Sequence, residues 1–193
     1  QAPRVDEARE EALYELGGER VTYQQFWDRS SRVAGGLKAL GVAPGDRVAI
    51  NLPNGNNWAY AFYGVLMAGG VVVPVNTRFS TQEVEYVVTD SGAKYVFTAD
   101  QQLPDGDPTV NRDRGHKDLA AIFYTSGTTG FPKGATLTHR NILNNGFFIG
   151  ECMRLTPEDR LCIPVPLYHC FGMVLGNLAC VTHGSTIVYP SDG

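Results

Sequence analysis

Tyr124-Thr125-Ser126-Gly127-Thr128-Thr129-Gly130-Phe131-Pro132-Lys133-Gly134 is the stretch on which the reading of this 193-residue chain turns. It follows the apolar run Leu119-Ala120-Ala121-Ile122-Phe123 and holds four Ser/Thr hydroxyls, three glycines and one lysine. Glycines let backbone N–H groups come close to an anion and turn toward it, hydroxyls add donors, and an ammonium supplies a point charge. Pro132 stiffens the turn just before that lysine. The combination reads as a loop that holds a polyphosphate.

The spacing is not that of the Walker loop, because the lysine follows Pro132 and precedes Gly134 rather than a Ser or Thr. Gly127 and Gly130 supply only the second half of a dinucleotide fingerprint. A Gly/Ser/Thr cluster is also the ordinary composition of a polar surface loop between two core elements. The β-rich run in front, the Pro-Lys-Gly exit and the helix expected behind it favour the anion site.

Outward from this loop the chain alternates strand and helix signals. Upstream, 12–16 and 21–23 predict a hairpin, Thr22 a cap for a helix over 23–40, and 46–52 a strand. Pro53-Asn54-Gly55-Asn56 is turn chemistry before a helix over 57–68, and 71–75 is a β-branched strand. Ser80 and Glu83 read as a capping box for a helix to 91, followed by a strand at 94–97. Downstream, Thr138 caps a helix over 139–153 whose buried face is Ile142, Leu143, Phe147 and Phe148. A strand at 159–163, a helix over 172–182 and a strand at 185–189 close the pattern. Such alternation with apolar strands predicts a doubly wound α/β fold, mainly parallel sheets flanked by helices. Residues 100–118, rich in Asp, Pro, Gly and Arg, read as a linker or exposed loop within it, with mobility to match.

Composition bounds the partners. A net charge of −4, a pI near 5.5 and the lack of any Lys/Arg run argue against nucleic acid. Cys152, Cys162, Cys170 and Cys180 contain no C-x-x-C pair, and Cys180-x-x-His183 has no second pair at zinc spacing, so no metal ligands are expected. Free thiols and the charged, leaderless stretch 1–15 predict a cytoplasmic location. Residues 48–77 carry no charged side chain, yet Gly69-Gly70 ends any helix there and Val71-Val72-Val73 is β-branched. A buried helix feeding a buried strand is predicted rather than a membrane span.

A second constellation is Pro166-Leu167-Tyr168-His169-Cys170-Phe171-Gly172-Met173. A histidine in such a turn is commonly a hydrogen-bonded loop or core residue. A Cys-His nucleophile pair is disfavoured because His169 and Cys170 are sequence neighbours. From Leu161 to His183 there is no Asp or Glu, whereas an amino-acid site needs a carboxylate for the substrate ammonium, so an acid with an uncharged tail fits better. Phe171, Met173, Val174, Leu175 and Leu178 could line an apolar channel or simply fill the core.

The loop from Tyr124 to Gly134 closely resembles the phosphate-loop signature of the adenylate-forming (AMP-binding) enzymes, and 21–96 and 121–193 are similar to the amino-terminal part of their acyl-CoA synthetases. The resemblance implies that 1–193 is part of the large amino-terminal domain of such an enzyme. It implies ATP-dependent activation of a carboxylic, in particular fatty, acid to acyl-adenylate and then acyl-CoA, with ATP, Mg2+ and coenzyme A as partners. Thr125, Ser126, Gly127, Thr128, Thr129 and Gly130 are implied to hold the β and γ phosphates, and Lys133 to offset their charge. His169 matches the family's Pro-x-Tyr/Phe-His-x-x-Gly position beside the adenylate and the acyl pocket, with Phe171, Gly172 and Met173 next to it as substrate contacts. Family members carry a longer connection where this chain has 100–118. The later Tyr-Gly-x-Thr-Glu segment, ribose-binding aspartate and carboxyl-terminal-domain lysine do not occur in these residues, so the carboxyl-terminal domain is absent and the chain alone is expected to be inactive. An aryl- or amino-acid adenylating domain and a non-catalytic nucleotide- or acyl-binding module are the competing readings.

Overall fold

The computed structural model describes residues 11–15, 18–125 and 132–190. β1 (Glu11–Glu15) and β2 (Arg20–Thr22) form the expected hairpin. The Thr22 hydroxyl then accepts from the Gln25 N–H while the Gln25 side chain accepts from the Thr22 N–H, opening α1 (Tyr23–Ala39). β3 (Arg47–Asn51), α2 (Asn56–Met67), β4 (Val71–Pro74), α3 (Thr81–Ser91) and β5 (Tyr95–Thr98) follow in the predicted order. The second half holds β6 (Leu119–Thr125), β7 (Lys133–Thr138), α4 (His139–Met153), β8 (Arg160–Cys162), a π-helix (Phe171–Leu178), α5 (Ala179–His183) and β9 (Thr186–Tyr189). Ser80 with Glu83 and Thr138 with Asn141 make the capping boxes of α3 and α4.

Two sheets result. The first runs β5-β3-β4-β6-β7, parallel throughout except for β7. Side chains alternate across it: Val48, Ile50 and Val72 face the main core with α2, while Ala49 and Val73 meet Val87 of α3 in a second, smaller core. Burial on both faces explains why these strands are apolar without a break, as a doubly wound sheet requires. The second sheet runs β2-β1-β9-β8, with β1 parallel to β9 through Leu13 opposite Ile187. That pairing spans nearly the whole sequence, and Thr186 Oγ1 adds a 2.8 Å bond to the Glu11 carbonyl.

α2 lies between them, in contact with β3 and β4 of one sheet, β1 of the other, and α1. Trp58, Ala59, Tyr60, Ala61, Phe62 and Val65 are all buried, and the Trp58 and Phe62 rings stack 5.5 Å apart. A helix apolar on every side belongs inside a core. Among the described residues no helix is long and apolar enough to cross a membrane.

Two local expectations are revised and one strand is added. β7 is an antiparallel strand paired with β6, so the phosphate-loop sequence joins the two arms of a hairpin, and α4 begins at His139 as expected. Residues 99–118 contain no helix or strand, but they are strapped to the helices. Gly106 N–H donates to Arg32 O (3.1 Å), Thr109 N–H to Ser31 O (3.0 Å) and Asn111 N–H to Met67 O (2.6 Å), while Arg32 pairs with Asp105. Finally, α4 turns Ile142, Gly146 and Gly150 inward, and leaves Leu143 and Phe148 51% and 61% exposed. Close approach of the π-helix and α5 dictates this. A Cβ on Gly146 would sit 2.7 Å from Leu178 Cβ, and one on Gly150 would overlap the His183 ring.

Between α2, the π-helix and β9 runs a buried polar chain. The Tyr63 hydroxyl donates to Asn177 Oδ1 (3.0 Å), and Asn177 Nδ2 donates to the Tyr189 hydroxyl. Burial pushes both tyrosine hydroxyls well above their ordinary value of 10. These folded values lie above the unfolded ones, so the stability they contribute is complete below about pH 10 and is lost as pH climbs beyond it. Urea unfolding between pH 8 and 11 should show that decline, and Tyr63→Phe should flatten it; a flat wild-type profile contradicts the burial of ionisable hydroxyls. Gly146→Leu should destabilise by about 3 kcal/mol, whereas Phe148→Ser should change stability by less than about 0.5 kcal/mol. The reverse order in urea midpoints would restore the face read from apolar spacing.

Candidate nucleotide site

β6 runs parallel to β3 and β4, so it delivers Thr125 to the sheet edge at which those strands also end. Ligands of open α/β sheets collect at that edge because the loops leaving the strands there diverge into a crevice. Lys133 lies directly opposite Thr125 across the hairpin mouth, and the Thr125 hydroxyl is 3.5 Å from the Lys133 carbonyl. Both residues are exposed. Lys133 has no ion-pair partner among the described residues, so its charge is available to a ligand. Ser126, Gly127, Thr128, Thr129 and Gly130 lie outside the described residues.

The hairpin mouth is bonded to α3 on both arms. The Tyr124 hydroxyl donates to Asp90 Oδ2 at 2.6 Å, and the Tyr86 hydroxyl donates to the Pro132 carbonyl at 3.3 Å. Partial burial and the Asp90 carboxylate together push the Tyr124 hydroxyl far above the ordinary tyrosine value.

His169 sits between β8 and the π-helix and is exposed. Its Nδ1 accepts from the Phe171 N–H at 3.1 Å, which places the proton of the neutral ring on Nε2, an atom with no hydrogen-bond partner among the described residues. Its carbonyl accepts from the Met173 N–H at 3.1 Å and its N–H donates to Pro166 O at 3.2 Å, so the backbone is held on both sides. Phe171 is 56% exposed beside it. Met173, by contrast, is fully buried, and Val174 and Leu178 join it in the main core, leaving Phe171 and the half-buried Leu175 as the accessible apolar groups of this segment. Gly172 is buried, and a Cβ there would strike the Pro166 carbonyl. Burial raises the Cys170 thiol, which further weakens any nucleophilic role for it.

Asn54, read from sequence only as a turn residue, anchors this segment. Its Nδ2 donates to Val165 O (3.0 Å) and its Oδ1 accepts from Leu167 N–H (2.9 Å), so one side-chain amide mimics a strand neighbour for the residues before His169. Asn54 follows β3, and β3 and β6 are separated by β4 alone, so the carboxyl ends of these two strands lie roughly 10 Å apart at the strand spacing. No hydrogen bond or ion pair among the described residues joins His169 to Thr125 or Lys133. A signal for Asn54 was present as an asparagine in Pro-Asn-Gly, but its partner is 111 residues away.

Two cavities open elsewhere. One of about 160 Å³ is apolar and lies against α1, lined by Tyr23, Phe26, Trp27, Tyr63 and Val181 among others. A polar one of about 410 Å³ lies along Arg29, Arg32 and the 101–105 strap. Neither touches Thr125, Lys133 or His169. Among the described residues no group of three or more His, Cys, Asp or Glu side chains is placed to hold a metal ion. His183 instead packs against Phe147 and bonds Glu151.

A doubly wound sheet with this hairpin at its carboxyl edge is the amino-terminal architecture of adenylate-forming enzymes. The chain belongs to the family described as AMP-binding enzyme, whose profile matches residues 3–116 and 100–193. The two matched segments meet in the connection between β5 and β6. An acyl-CoA ligase, sidI of Beauveria bassiana strain ARSEF 2860, is 36% identical over 219 residues, covering 91% of this chain and 38% of its own length. The human medium-chain acyl-CoA ligase ACSF2, named as mitochondrial, is 32% identical over 98% of this chain and 41% of its own. The ATP-bound crystal structure of MatB from Rhodopseudomonas palustris superposes with a TM-score of 0.83 at 28% identity, covering 96% of this chain and 43% of that one. The chain thus spans about two fifths of the relatives' length.

Asn54→Ala should free the 165–167 backbone and cost about 2 kcal/mol, two hydrogen bonds to partly buried groups. Urea unfolding measures the cost, and His169 NMR shifts report the local change. An unmoved His169 resonance with unchanged stability would remove Asn54 from the site.

Proposed function

We propose that this chain supplies the ATP-holding part of an acyl-CoA ligase, which activates a carboxylic acid with an uncharged acyl tail in two steps. In the first, a carboxylate oxygen bonds to the α-phosphorus of ATP, and the bond from that phosphorus to the bridging oxygen breaks, giving acyl-adenylate and pyrophosphate. In the second, the thiol of coenzyme A displaces AMP. Neither step needs a protein nucleophile; the need is for positioning and for offsetting charge on the leaving pyrophosphate.

One observation carries the reading: an ammonium with no ion-pair partner among the described residues, Lys133, faces a hydroxyl, Thr125, across a hairpin mouth at the carboxyl edge of a parallel-rich sheet. In this reading Lys133 contacts the polyphosphate, and Ser126, Gly127, Thr128, Thr129 and Gly130 contribute hydroxyls and N–H groups around it. The donor set fits a polyphosphate, and Mg2+ would enter bound to the phosphates, neutralising part of their charge. His169, with its Nε2 proton outward, positions the acyl carboxylate, and Phe171 and Gly172 border the acyl group; Met173 supports them from the core. The lack of Asp or Glu between Leu161 and His183 supports an uncharged acyl tail over an amino acid. The ATP-bound state of the MatB relative and the acyl-CoA ligase names of sidI and ACSF2 support the same class.

Residues 1–193 contain the polyphosphate motif without a ribose-binding aspartate or a second lysine motif, so we expect this chain to bind MgATP and to show no ATP–pyrophosphate exchange by itself. Lys133→Ala should raise the MgATP dissociation constant about tenfold, one charge-assisted contact. Calorimetry on the chain tests binding, and exchange with a panel of medium-chain fatty, aromatic and amino acids tests the acid class in a protein carrying the full set of motifs. Unchanged affinity in Lys133→Ala would take this lysine out of the site, and preferential turnover of amino acids would replace the acyl assignment.

A further inference from the structure

α3 makes two bonds to the hairpin from residues four apart, one to each arm. Asp90 takes the Tyr124 hydroxyl at the end of β6, and Tyr86 gives its hydroxyl to Pro132 at the start of β7. Residues at this spacing share a helix face, so one face of α3 spans the mouth through which the phosphate-loop sequence leaves and returns. α3 can act as a fixed reference. Its amino end is closed by the Ser80–Glu83 capping box, its carboxyl end by Gly92 in the left-handed region, and Val87 is buried in the second core. The hairpin needs such a reference. β7 is an edge strand bonded only to β6, its first four residues are exposed, and the pairing between Thr125 and Lys133 is the last before the loop. The Tyr124 ring also lies across Gly134, where a side chain would meet its Cζ at 3.2 Å, so both arms are covered by the same bonded tyrosine.

We infer that Asp90 and Tyr86 are positioning residues: they fix the hairpin mouth and thereby present the Lys133 ammonium and Thr125 hydroxyl in ligand-ready geometry before nucleotide arrives. The inference rests on the polyphosphate reading of that mouth. A preset mouth loses less conformational freedom when ligand binds, so the bonds act on affinity and not chiefly on global stability.

The test uses the ligand-free chain and MgATP as the probe, with Tyr124→Phe, Asp90→Leu, Asp90→Asn and Tyr86→Phe, and with Lys133→Ala as the site control. Amide hydrogen exchange is followed at 125 and 133–135, alongside MgATP calorimetry and thermal unfolding. Tyr124→Phe and Asp90→Leu should speed exchange at the mouth about fivefold to tenfold and raise the MgATP dissociation constant by a similar factor, roughly one hydrogen bond. Asp90→Asn, which keeps an acceptor oxygen, should restore most of both, and the Tyr124→Phe/Asp90→Leu double variant should be no worse than either single one. Unchanged exchange at the mouth overturns the inference whether or not nucleotide binds. So does a uniform rise in exchange across the chain, which marks a purely structural role. If Lys133→Ala weakens binding and Tyr124→Phe does not, the site assignment stands and the brace falls. If the wild type does not bind MgATP, the functional reading fails, and the exchange data alone decide whether α3 fixes the mouth.

Discussion

α2 has no polar face, and that constraint organises the molecule. A helix carrying Trp58, Ala59, Tyr60, Phe62 and Val65 around its circumference must be covered on every side, each large side chain being worth about 1.5–3 kcal/mol when buried. One sheet cannot do this. β3 and β4 cover one side, β1 of the second sheet another, and α1 a third. The Tyr63–Asn177–Tyr189 chain then ties the helix to the π-helix and β9 through two directional hydrogen bonds, which favour one arrangement of these elements. The turn that leads into α2 carries Asn54, and through it the burial of α2 also sets where the His169 segment lies.

Much of this was legible in the sequence because it is written locally. Thr22, Ser80 and Thr138 announce their helices through side chains that bond the next turn, and all three caps stand where the spacing put them. The strands of the first sheet read correctly because burial on both faces leaves a continuous apolar run. What escaped reading depends on residues far apart. The second sheet closes by pairing β1 with β9, for which no nearby residue gives a sign. On α4 only Ile142 of the expected face is buried, since apolar spacing finds large residues, whereas close helix packing selects Gly146 and Gly150. The pairing of β7 with β6 was likewise not read, because the two strands meet only across the glycine-rich turn.

At the candidate site the same division holds. Thr125 and Lys133 are recognisable from spacing, and the structure pairs them across one hairpin mouth at the ligand edge. The groups around them were not recognisable. Asp90, Tyr86 and Asn54 touch the site segments from other elements, and each looked like an ordinary helix or turn residue. The net charge of −4 does not oppose the proposed anion site, because electrostatic attraction is local: an ammonium at the hairpin mouth acts at contact distance, whereas salt screens the rest of the surface beyond about 10 Å.

The parallel pairing of β1 with β9 has a consequence in time. About 175 residues separate the partners joined by the Thr186–Glu11 bond. At the usual ribosomal rate of about 5–20 residues per second, roughly 9–35 s pass between the emergence of one strand and the other. Throughout that interval the β1–β2 hairpin presents an open edge, a template for any extended segment nearby. The five-stranded sheet, built from residues 47–138, can be complete well before then. During synthesis β1 is made before β3 to β8 and finds its partner β9 only after all of them have emerged, so its edge stays open for most of that time.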